Sequence, residues 1–179
     1  VRILRPDLDL QLDANLSGRS VATQQVINDQ LPRLAGLRPQ FVTLQVGSND
    51  VVFGTDPQTY HTDLARILDA ILADGVPADR IVLVTAPDFT LPPGGAERFG
   101  ATQQAAIRQL NAIAREVGAE RHVAVVDISS ISDRVPLDAS LVAPDGLHPS
   151  GKQYAGWADL IAITVRGLFG IHSAGDVVP

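Results

Sequence analysis

Three runs, FVTLQV at 41–46, RIVLVTA at 80–86 and HVAVVDI at 122–128, are separated by stretches whose apolar residues recur every three or four positions. Short apolar, β-branched runs read as strands buried on both faces, and the 3.6-residue period between them reads as amphipathic helix. Strand–helix alternation is the mark of a parallel sheet with helices on both faces, so the expected class is α/β, a three-layer α/β/α sandwich. Parallel strands share one carboxyl edge, and the loops there collect the chemistry of such folds. The segments to inspect are therefore 15–20, 47–55, 87–99 and 129–148.

The remaining segments fit one domain over 1–179. Leu8, Leu10 and Leu12 alternate with polar residues toward Gly18, predicting a strand over 8–14. Val21, Val26, Ile27, Leu31 and Leu34 mark a helix over about 20–37 that Pro32 is expected to kink or end. Asp56–Pro57 is a cap followed by proline at the first helical position, and Leu64, Ile67, Leu68 and Ile71 supply a core face. Three prolines and three glycines make 87–100 a long loop. Ile107, Leu110, Ala114 and Val117 mark the next helix, and Ser150 with Gln153 has the form of a capping box opening the last one.

Composition removes several function classes. The net charge of −6 comes without a Lys/Arg stripe, so nucleic acid is not an expected partner. The absence of cysteine excludes thiolate catalysis and disulfides and leaves the cytoplasm and the exterior equally open. No apolar run is long enough to span a bilayer. His61 and His172 have no acid at ligand spacing and His122 begins a strand, so no metal is implied.

Three of the edge loops carry candidate chemistry: NLSGRS with Gly18, VGSND with Asn49, and PDGLHPS with Asp145 and His148. Singly, each has a plain explanation as turn or cap residues. Together, in order and spacing, they resemble the SGNH hydrolases, the GDSL-type esterases and lipases. The resemblance runs from about Leu10 to Trp157. It implies a flavodoxin-like sheet and acyl transfer on a small-molecule ester without a cofactor. It also implies His148 as general base, Asp145 as the group that orients it, and the Gly18 N–H with the Asn49 amide as oxyanion donors. Asp50 is expected to hold its loop by bonding backbone N–H groups, and Trp157 to pack.

The Gly-Asp-Ser block of that family has no counterpart after Val1. The nucleophile and first strand are therefore expected upstream of Val1, in a preceding segment or a separate chain that completes the sheet. Alternatively, Ser17, Ser20 or Ser48 replaces the nucleophile, or the chain is a hydrolase-shaped binding domain without catalysis. Phe89, Leu91, Pro92, Pro93 and Phe99, with Val51–Phe53, are candidates for an apolar acyl wall.

Overall fold

The computed structural model describes residues 21–170; the strand expected over 8–14, Gly18, Ser17, Ser20 and His172 lie outside them. Three strands, β1 (Val42–Gln45), β2 (Ile81–Val84) and β3 (Ala124–Val126), form a parallel sheet in that order. Val42 pairs with Ile81, and Val82 with Ala124.

The side-chain alternation of β2 builds the layers. Ile81 and Leu83 enter one core with Leu64, Ile67 and Leu68 of helix α4 (Pro57–Ala73) and Ile107, Leu110 and Val117 of α6 (Ala101–Glu120). Val82 and Val84 point the other way, into a second cluster with Trp157 and Val165 of α8 (Gly151–Leu168). All four β2 residues are buried, as a central parallel strand requires. The expected α/β/α layering is present. At β1 the pattern differs: Leu44 is buried, whereas Thr43 and Gln45 are exposed, and among the described residues β1 has no partner on its outer edge.

Three expectations need correction. Of the two outcomes expected at Pro32, a kink or an end, the end does not occur. The chain runs from α1 (Thr23–Gln25) through a π-helical stretch, Val26–Gln30, into α2 (Leu31–Leu37). Pro32 has no N–H, and its ring would crowd the carbonyl four residues back; widening the preceding turn, with the Leu31 N–H on the Val26 carbonyl, accommodates it. The loops at 47–55 and 87–99 are partly helical, holding α3 (Ser48–Phe53) and α5 (Pro93–Arg98). The start of α8 is only half a capping box. Ser150 Oγ accepts from the Gln153 N–H at 3.3 Å, but the Ser150 N–H is taken by the Leu141 carbonyl. The Asp56–Pro57 start of α4 is as expected, with the carboxylate accepting from the Gln58 and Thr59 N–H groups. No helix among the described residues is long and apolar enough to cross a membrane.

Candidate active site

The turn out of β1 begins at Gly47, with φ of 132°, a conformation side chains rarely adopt. A Cβ there would also sit 3.1 Å from the Tyr60 hydroxyl, which itself donates to the Val46 carbonyl. This turn sets Ser48, Asn49 and Asp50 on the first turn of α3, at the carboxyl edge of the sheet. Asp50 is fully buried, and its carboxylate accepts the Thr23 N–H at 3.1 Å and the Thr23 hydroxyl at 2.6 Å. Burial pushes the Asp50 carboxyl up, opposed by its hydrogen bonds from Thr23 and Thr55. Its loop-holding role is as expected. Asn49 is half-buried, and its Nδ2 donates to the Val21 carbonyl at 3.3 Å. An amide nitrogen has two hydrogens, so this bond orients the side chain and leaves a second donor.

After β3 the chain passes through a short helix, α7 (Ser129–Ser132), and two 3₁₀ turns to a small closed loop. Val142 bridges Pro149 in antiparallel fashion, and the Ala143 N–H reaches the His148 carbonyl at 2.8 Å. Gly146, with φ of 75°, turns the tip. Inside this loop Asp145 Oδ1 accepts the N–H groups of Leu147 and His148 at 3.0 and 2.9 Å. Its Oδ2 lies 2.6 Å from His148 Nδ1. Those backbone bonds, then the imidazole, hold the Asp145 carboxyl down at about 2. Both side chains are largely exposed, and His148 Nε2 has no hydrogen-bond partner among the described residues. Ser48 therefore makes no such bond to His148. Asn49 and His148 both follow the carboxyl ends of parallel strands, but no hydrogen bond joins their loops among the described residues.

Beside the Asp145 loop lies a cavity of about 370 Å³, lined by Leu91, Pro93, Val135, Ala139, Val142 and Gly146. The Gly94 N–H donates to the Gly146 carbonyl at 2.9 Å, tying α5 to the tip of the loop. Gly95 is required there, since a Cβ would fall 1.8 Å from the Phe89 carbonyl oxygen. Of the proposed apolar wall, Leu91 and Pro93 line this cavity, whereas Phe89 and Phe99 pack edge to face with each other and Val52 and Phe53 are exposed.

Sequence spacing missed three groupings. Asn111 of α6 bonds both the N–H and the carbonyl of Ala86 at 2.8 Å, fixing the chain as it leaves β2. Thr23 is the partner of Asp50. His61 is not without acidic neighbours: Glu116 and Glu120 of α6 bring donor atoms within 4.8 Å of it. Glu120 is also paired with Arg121 at 3.0 Å. His122 is exposed just before β3, with φ of 55°, and Trp157 packs as expected, its indole N–H on Ser132 Oγ at 3.1 Å.

Comparison with known proteins agrees with this architecture. No curated protein matches the chain. Among solved structures, an alpha/beta hydrolase enzyme from the metagenome of Lake Arreo, Spain, is 22% identical, with TM-score 0.62 over 86% of this chain and 71% of that one. The lipase/acylhydrolase from Enterococcus faecalis is also 22% identical, with TM-score 0.61 over 83% and 72%. An acetyl xylan esterase from Geobacillus stearothermophilus is 17% identical, with TM-score 0.60 over 87% and 71%. At these identities the likeness establishes the fold. The family model for GDSL-like lipases and acylhydrolases matches residues 2–155, most of the chain. The chain belongs to the GDSL-like lipase/acylhydrolase family.

Proposed function

We propose that the complete protein is a serine ester hydrolase in which His148 is the general base and Asp145 orients it. The observation that carries this reading is the 2.6 Å contact between Asp145 Oδ2 and His148 Nδ1, with Nε2 left unbonded. A carboxylate on Nδ1 holds the proton there and leaves the Nε2 lone pair outward, the tautomer a base needs. The nucleophile is a serine, which the family order puts before Gly18.

In this reading the serine Oγ attacks the acyl carbonyl carbon while its proton passes to Nε2. The carbonyl oxygen becomes an oxyanion facing the free N–H of Asn49 and the N–H of Gly18. Collapse of the tetrahedral species breaks the ester C–O bond, and Nε2 returns the proton to the departing alkoxide. Water, deprotonated by the same nitrogen, then releases the acid and regenerates the serine. The apolar cavity beside the Asp145 loop would take a hydrocarbon part of the ester.

A second reading, a binding domain without catalysis, draws on the bond that Asn49 already makes to Val21. A fluorophosphonate probe and p-nitrophenyl acetate, applied to the complete protein of verified intact mass, separate the two. The enzyme takes one label and turns over the ester. The binding domain does neither.

A further inference from the structure

Residues 49 and 50 both reach back to the same short segment of chain. Asn49 Nδ2 donates to the Val21 carbonyl, and two residues on, Thr23 gives Asp50 its N–H and its hydroxyl. Covalent connections through Ala22 and across the Asn49–Asp50 peptide close these contacts into a ring. Every member is buried or half-buried: Ala22, Thr23 and Asp50 are at most 4% exposed. The ring is tied outward to α4, because Thr23 Oγ1 also lies 3.2 Å from Asp63 Oδ2, which accepts Gln24 Nε2 at 2.6 Å. Thr55 adds a side-chain hydrogen bond to Asp50, and its N–H donates to the Asp50 carbonyl at 2.8 Å. A fully buried carboxylate is costly unless its hydrogen bonds are satisfied, so this much polar structure in one place calls for a role.

We infer that Thr23 and Asp50 are positioning residues for the Asn49 amide: their contact fixes the Val21 carbonyl, and that carbonyl sets which way the remaining Nδ2–H points. This rests on the oxyanion role proposed above for Asn49. The 3.3 Å bond to Val21 is long enough that a small displacement of Val21 would release the amide to rotate. Oxyanion donors are effective only while held in place before the reaction, so a freed amide loses much of its effect without altering substrate binding.

The test uses Thr23→Val in the complete protein, which removes the hydroxyl but keeps side-chain shape and the backbone N–H. With folding checked by circular dichroism, kcat for p-nitrophenyl acetate should fall about tenfold with KM unchanged, and Thr23→Ser should restore it to within about twofold. In an Asn49→Ala background, Thr23→Val should cost nothing further, because both changes disable the same donor. Asp50→Asn is the second variant should Thr23→Val fail to fold. It turns one acceptor into a donor facing Thr23 and should give the same kcat loss, again silent behind Asn49→Ala. Unchanged kcat in the folded variant, or losses that multiply in the double variant, would overturn the inference. NMR of the Asn49 side-chain amide separates this from failure of the hydrolase reading. Even in a protein that turns over no ester, one Nδ2 proton should be protected from exchange in the parent and both equally exposed in Thr23→Val. Equal protection before and after the substitution would also overturn it.

Discussion

Asp145 holds His148 by two hydrogen bonds and its neighbour by a third: Oδ1 accepts the histidine's own N–H at 2.9 Å and that of Leu147 at 3.0 Å, while Oδ2 meets Nδ1 at 2.6 Å. One carboxylate thus shapes the backbone of the loop and selects the imidazole tautomer. The two tasks fall on different oxygens, so they can be separated by substitution.

Asp145→Asn keeps an oxygen for the two backbone N–H groups but can present an amide N–H to Nδ1. The ring then carries its proton on Nε2 and cannot accept one from a serine. We expect kcat of the complete protein to drop about 10⁴-fold with the loop and fold preserved. Stopped-time ester assays alongside circular dichroism check this; a loss below tenfold would place Asp145 outside the chemistry.

The Asp145 carboxyl, held at about 2 against an ordinary 3.8, gives a pH prediction with a definite sign. A folded-state value below the unfolded one means a stabilising contribution that is full above 3.8 and lost as pH falls through about 2. The melting-temperature gap between the parent and Asp145→Asn should therefore shrink as pH falls below about 4. The same carboxyl contributes no limb to a rate profile between about pH 5 and 8. A carboxyl titration seen by NMR near the ordinary value would contradict the three-bond geometry.

Much of this arrangement was legible in the residues, and the parts that were not share a cause. The strands announced themselves as short apolar, β-branched runs at 41–46, 80–86 and 122–128, although only β2 is buried along its whole length. Asp145 and His148 are close in sequence, so a local loop suffices to join them. Helix α3 was hidden because six residues beginning Ser-Asn-Asp look like turn chemistry, and its helical start is decided by Gly47 packed against Tyr60. The π-helical turn before Pro32 was hidden for a similar reason: proline forbids a regular register but does not say whether the chain will stop or widen. Thr23, Asn111 and the neighbours of His61 act across 27, 25 and more than fifty residues, distances at which periodicity carries no information.

The apolar cavity yields a specificity prediction. Ala139 is on its wall, and Ala139→Phe would fill space now open beside the Asp145 loop. The ratio of kcat/KM for p-nitrophenyl octanoate to that for the acetate should fall about tenfold or more, the acetate rate itself changing little. An unaltered ratio means that the hydrocarbon part of the ester lies elsewhere.

His148 itself offers the most direct measurement. In the complete protein, kcat for p-nitrophenyl acetate is compared between parent and His148→Ala, with circular dichroism and melting temperature recorded on the same samples. The imidazole is exposed, so the fold should persist. Its removal should lower kcat by about three orders of magnitude or more. Turnover by a folded His148→Ala variant at the parent rate would contradict the assignment of His148 as base and, with it, the hydrolase reading of this loop.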